Sequence, residues 1–261
     1  MNKSFSFQII EKQPVILFSA VVIAISVILT GFAILFKNVN ITFLNVFVPT
    51  IIAILFTGIT VGRKGINQLL IGKVFKKTSM LWLLISIILF PLISYLAISL
   101  HSYYVGQEFT LMIPQVFPHF LPIFVIAIGE EFGWRGFLLP KLMERYNAVI
   151  SSLLLGIIWG VWHFPGYTIG VGVPLSLSFL VFMIWILSAS FIMTWIYNNT
   201  GSVLTAILLH ASANAIFTFF PILPMAAKST IPFWLFLCFL NFTIVAIIIF
   251  FGSEKMVRKN N

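Results

Sequence analysis

Across 261 residues the chain is 61% hydrophobic and 16% aromatic but only 8% charged, against roughly 25% charged in an average soluble domain, which excludes a water-soluble fold and marks an integral membrane protein. The net charge of +9 does not signal nucleic acid, because the lysines and arginines gather at the ends of apolar stretches, where the positive-inside rule places them. A single cysteine, Cys238, excludes an internal disulfide and a cysteine-based metal cluster.

Apolar runs long enough to cross about 30 Å of hydrocarbon as helix fall near 15–36, 41–61, 79–100, 117–146, 148–164, 174–197, 203–220 and 231–252. The fold expected is all-α, a polytopic membrane helix bundle of about eight transmembrane helices in one membrane domain over 1–261. The first run, Val15–Phe36, exceeds a signal-peptide core and no small-residue cleavage site follows it, so it reads as a retained span. Eight crossings return both termini to one side. That side collects Lys3, Lys12, Arg63, Lys64, Lys73, Lys76, Lys77, Lys141, Arg145, Lys255, Arg258 and Lys259, twelve basic residues against Lys37 and Lys228 opposite, with Arg135 inside a span. The twelve assign both termini to the cytoplasm.

The connector 62–79, GRKGINQLLIGKVFKKTS, alternates basic residues with Ile66, Leu69, Leu70, Val74 and Phe75. It reads either as an amphipathic helix on the anionic inner surface or as a basic loop serving topology alone. In the 148–164 run, Gly156 and Gly160 have the small-xxx-small spacing of closely packed helices; the preceding helix is the expected partner, with a dimer contact as the alternative. The uncharged, glycine-rich PGYTIGVGVP (165–174) reads as a flexible outer loop. Thr200 or Ser202 suits the N-cap of the 203–220 helix.

Ionisable side chains at membrane depth cost about 2.5–3.5 kcal/mol each on insertion scales, so they are functional candidates by default. Away from segment ends they are Glu130, Glu131, Arg135, His163 and His210, with Asn214 as a polar companion. Glu131 and Arg135 stand i,i+4 with the acid first, the favourable order for an ion pair. Glu130 is rotated about 100° from Glu131 and is freer to face another helix. Glu130 and His163 are each 16 residues from the turn at Tyr146 and Asn147, so antiparallel helices carry both to similar height. The expected depth is midway into the inner half of the bilayer. His210 and Asn214, again i,i+4, present an imidazole and an amide on one face of a third helix.

Taken in order, EEFGWR (130–135), WGVWH (159–163) and HASAN (210–214) resemble the motifs of the intramembrane proteases that include the CAAX prenyl endopeptidases and the bacteriocin-processing or self-immunity proteins of bacteria, the CPBP or Abi family. NTGS (199–202) precedes the last motif, as in many members, and Trp159 stands where phenylalanine is more usual. The resemblance covers 117–220, a family-like catalytic core of about two fifths of the chain; the N-terminal spans carry no signature.

The resemblance implies an endopeptidase acting on membrane-associated peptides or protein tails in contact with membrane lipids, in a bacterial cell membrane. Peptide hydrolysis needs an activated water, an oxyanion site and a proton donor for the leaving amine. Glu130 is expected as general base and later acid, aided by His163. His210 and Asn214 are expected as oxyanion donors, and Glu131 and Arg135 as a supporting pair. No cofactor is required by that scheme. The alternative is a zinc site made by Glu130, His163 and His210, although no helix carries HExxH. The expected water-filled cavity opens toward the cytoplasm. Two other classes compete: a proton-coupled transporter, disfavoured because spans one to three carry no ionisable group, and a non-enzymatic immunity or scaffold protein.

Overall fold

The computed structural model describes residues 5–112 and 116–257, and among these the secondary structure is helical throughout, with no strand. Lys3, Arg258 and Lys259, counted in the basic bias, lie outside the described residues. Among the described residues, seven helices are long and apolar enough to cross a membrane: Pro14–Leu35, Val39–Val61, Met80–Val105, Ala148–Tyr167, Phe179–Thr200, Val203–Ala227 and Ile231–Phe251. The run expected at 117–146 is also helical but composite, and this is the run that carries the buried charges.

In chain order, a short α1 (Phe5–Lys12) leads into α2 (Pro14–Leu35), whose proline at the first turn lacks only a donor the helix would leave unpaired. A 3-10 stretch, Val39–Phe47, continues into α3 (Val48–Val61). The basic connector then folds as α4 (Arg63–Asn67) with a π turn at Gln68–Gly72. Leu69 there is buried at 4% exposure, so the connector docks on the bundle through its apolar side. The long α5 (Met80–Val105) reaches five residues past the expected end at 100 and stops at Gly106, which takes φ 64 in the left-handed region.

Next come α6 (Val116–Gly133), a π turn at Trp134–Leu138 and α7 (Leu139–Met143), one helical run with a widened turn just after the two glutamates. Such π insertions recur at functional sites. The Asn147 side chain accepts from Ile150 N at 2.9 Å and starts α8 (Ala148–Tyr167). α9 (Phe179–Thr200) begins five residues later than expected, behind Ser178 as N-cap. α10 (Val203–Phe219) has Ser202 at the N-cap position without a capping hydrogen bond from its side chain. Instead the connector carbonyl of Lys73 accepts from Val203 N at 2.9 Å. A short α11 (Pro224–Ala227) precedes α12 (Ile231–Phe251), which carries the exposed Cys238.

The most enclosed spans are α9 and the helical run containing α10, 61% and 56% buried, against 22% for α2. α10 lies against α5, α6 and α9, and α8 lies along α9. Gly156 and Gly160 therefore serve the following helix: a Cβ at either would run into Leu187, Ser190 or Met183 of α9. The expectation of a preceding-helix partner is corrected. That role falls to Gly129 and Gly133 of α6, where a Cβ would collide with Val46 and with the Pro49 backbone. Close approach is thus used twice, and the α6 pair brings the glutamates against the N-terminal spans.

The bundle has two distinct ends. At one, Arg145 Nη2 donates to Lys12 O at 3.2 Å, Asn198 Nδ2 to Lys255 O at 2.7 Å and Ala148 N to Glu254 O at 2.7 Å. This end gathers α1, the connector, the 144–147 turn and the segment after α12. The opposite end holds the turns at 36–38 and 168–178, and Met112 N donates there to Phe219 O at 3.0 Å. The 165–174 stretch begins as the last turn of α8 and continues as a hydrogen-bonded turn, in which Val171 N donates back to Gly166 O at 2.9 Å.

Candidate active site

The three polar groups expected from sequence converge. Glu130, Glu131 and Arg135 are buried at 2%, 0% and 0% exposure, and His210 at 3%. Arg135 Nη1 donates to Glu131 Oε1 at 2.9 Å, the i,i+4 pair read from the sequence. The same oxygen meets His210 Nδ1 at 2.8 Å. Glu131 is thus a tie between α6 and α10, with a cation on one side and an imidazole on the other.

Glu130 points elsewhere. Its Oε2 accepts from the Trp159 indole at 2.8 Å and from the Trp134 indole at 3.2 Å. An indole donates and never accepts, so these two contacts suit an ionised carboxylate. Trp159 also lies under the Arg135 guanidinium at 4.5 Å and packs edge-on against the His210 ring at 5.3 Å. The residue that departs from the usual aromatic of its motif is therefore in contact with the acid, the arginine and the histidine.

His163 Nδ1 lies 2.8 Å from Trp159 O one helical turn back. A backbone carbonyl only accepts, which fixes the proton on Nδ1 and leaves Nε2 with its lone pair. The ring is held by Trp162 at 4.7 Å and Phe182 at 5.1 Å between centroids.

Glu130, His163, His210 and Asn214 all line one cavity of about 410 Å³, within the range of small-ligand sites. The remaining wall includes Ser26, Asn40, Asn45 and Trp162. Sequence reasoning misses this wall, because it weighs only ionisable groups in the first three spans, and Asn45 and Ser26 are neutral. Trp134 is legible in the sequence: it stands i+4 from Glu130, the same spacing that identifies Arg135.

The cavity lies toward one end of the bundle. Val39, Asn40, Gly166, Val171 and Gly172 line it, and these belong to the end of the bundle away from the basic connector and termini.

Among the described residues no three His, Cys, Asp or Glu side chains converge closely enough to hold a metal ion. Glu130, His163 and His210, the alternative zinc ligands, do not form such a group.

Residues 112–216 match the family model described as type II CAAX prenyl endopeptidase Rce1-like, a span that takes in Glu130, Glu131, Arg135, Trp159, His163, His210 and Asn214 but not the cavity wall from the N-terminal spans. The chain is 33% identical over 106 residues to "CAAX prenyl protease 2" of Methanococcus maripaludis, an alignment covering 36% of this chain and 39% of that protein. The matched stretch thus spans about two fifths of that relative's length. Fold and site define a polytopic helical membrane protein with a buried carboxylate and histidine cavity. Over this core the chain is similar to the Rce1-like type II CAAX prenyl endopeptidases.

Proposed function

We propose that the chain is an intramembrane endopeptidase that hydrolyses membrane-associated peptides or protein tails with a glutamate-activated water. The observation that carries this reading is the Glu130 carboxylate, held by two indole donors on the wall of a cavity that also presents His163, His210 and Asn214.

Both indoles meet Oε2, so Oε1 is the oxygen that takes a proton from water. His163 Nε2 accepts the water's second hydrogen and orients it, because its Nδ1–H is occupied by Trp159 O. Attack on the scissile carbonyl places negative charge on its oxygen. The Asn214 amide and the His210 Nε2–H, present when the ring is protonated beside Glu131, donate to that oxyanion. Glu130 then returns its proton to the leaving amine, and the carboxylate is regenerated. Glu131 and Arg135 hold His210 in place and do not touch the substrate.

The test is cleavage of a panel of membrane-anchored fluorogenic peptides by the purified chain in detergent. The expected result is cleavage of at least one peptide, which the Glu130→Gln variant lacks. A parent protein that cleaves none of the panel, or a Glu130→Gln variant that cleaves as well as the parent, contradicts the reading.

A further inference from the structure

We propose that a second cavity, at the basic end of the bundle, binds the anionic phosphate headgroup of one membrane phospholipid. This site is independent of the endopeptidase reading.

The cavity measures about 820 Å³ and shares no lining residue with the one that holds Glu130. It is framed by the start of α2 at Pro14, the end of α3 at Val61, α4, the connector and the run from Gly136 to Glu144. One span begins and another ends at its wall, which sets it at the depth of lipid headgroups rather than of hydrocarbon.

Three lysines from three elements line it: Lys64 of α4, Lys73 of the connector and Lys141 of α7. Lys73 is partly buried. Its Nζ donates at 2.5 Å to Gly136 O, whose i+4 residue, Pro140, has no N–H to give, and stands 6.0 Å from the centre of the Tyr197 ring. An ammonium has three donors, and the carbonyl takes one. The charges that act on Lys73 are those of Lys141 and Lys76, both cations, and after burial they help hold its amine down to about 8. At neutral pH the group is still protonated, so the wall carries a cation that its charged neighbours repel.

Two acids line the cavity as well, Glu11 and Glu144. Glu144 Oε1 accepts from Lys141 Nζ at 2.6 Å, but the side chains are 58% and 37% exposed, and solvent screens such a pair. Neither acid is among the charges that act on Lys73. A phosphate oxygen accepts from several ammonium groups at once and brings Lys73 the negative charge that none of the described residues supplies.

The rest of the wall favours a lipid over a free anion. Ile10, Pro14, Val61, Leu69 and Phe137 line it, an apolar surface for glycerol and the first acyl carbons while the phosphate stays on the lysines. Basic pockets between spans hold anionic headgroups in this way.

The experiment is thermal unfolding of the purified full chain in neutral detergent, with phosphatidylglycerol, phosphatidylcholine or inorganic phosphate added at equal concentration. Phosphatidylglycerol at about tenfold its apparent Kd should raise the parent's melting temperature by about 3–6 °C, and the other two should leave it unchanged. Lys73→Met should lose most of the rise, and Lys141→Gln a part of it, which keeps the test open should Lys73→Met fail to fold. Lys255→Gln, at the same end but outside the cavity, should keep the whole rise. A full rise in both cavity variants, or an equal rise with phosphatidylcholine, overturns the proposal. So does an equal loss in Lys255→Gln, which assigns the effect to net charge, and so does an equal rise with inorganic phosphate, which assigns the cavity to a soluble anion.

Discussion

Glu131→Gln isolates the structural half of the glutamate pair. Glu131 and Arg135 are both 0% exposed, and their 2.9 Å contact compensates the guanidinium, whose Nε and Nη2 are buried without partners. Glutamine preserves size and can still accept a hydrogen bond, but it leaves the buried guanidinium without its ion-pair partner. Breaking a buried pair in this way costs about 3–5 kcal/mol, and the contact to His210 at 2.8 Å is demoted from charge-assisted to neutral at the same time. At about 2–4 °C per kcal/mol for a domain of this size, the melting temperature in detergent should fall by about 6–20 °C. Arg135→Met in the same background removes the orphaned charge while keeping a long side chain over Trp159. It should recover most of the lost stability, with a coupling of up to about 3 kcal/mol in the double-mutant cycle, but little activity, because His210 stays unanchored. The assay is thermal unfolding of the four proteins alongside peptide cleavage. A Glu131→Gln variant that melts within 2 °C of the parent, or a double variant no more stable than the single, would refute the assignment of Glu131 as the charge partner.

Trp159→Phe keeps the ring and removes the 2.8 Å donor to Glu130; stability should fall by about 1–3 kcal/mol, while turnover stays within about tenfold because Trp134 still donates to the same oxygen, and loss of all turnover with no change in melting would contradict this. Chelators should leave peptide cleavage by the purified chain unchanged, and restoration of a chelated preparation by one zinc per chain would refute the metal-free scheme. The Lys73 amine is lowered from 10.5 to about 8, by burial first and then by the charges of Lys141 and Lys76. Between these values the unfolded chain binds more protons than the folded one, so Lys73 makes stability rise with pH from about 8 to 10.5. Melting of Lys73→Met should lack that rise, and a rise equal to the parent's would assign it to other groups.

Much of the site is legible in the periodicity and spacing of the sequence. The i,i+4 geometry of Glu131 with Arg135 and the equal helical distance of Glu130 and His163 from one turn translate directly into contacts and a shared cavity, because both follow from the fixed rise and rotation of a helix. What spacing cannot supply is which helix faces which. Gly156 and Gly160 announce a close approach but not its partner, which is α9. Helix ends escape a sequence reading where tertiary groups set them: α10 is capped by the Lys73 carbonyl from 130 residues upstream, a contact no local window contains. The cavity wall from the N-terminal spans escapes it because Asn45 and Ser26 carry no charge, although the two amides of NITFLNVF (40–47), Asn40 and Asn45, are a usable signal once Glu130 is known to share their cavity.

The central claim is that Glu130 moves the proton in hydrolysis. Its most direct measurement is single-turnover cleavage of one peptide by the parent and by Glu130→Gln, with both proteins shown to fold by matched melting curves and with the new carboxyl terminus read by mass spectrometry in heavy-oxygen water. The account predicts one heavy oxygen in the parent's product and a rate at least 1,000-fold lower for the variant, about 4 kcal/mol in the barrier. A folded Glu130→Gln protein that incorporates the label within tenfold of the parent's rate would contradict it.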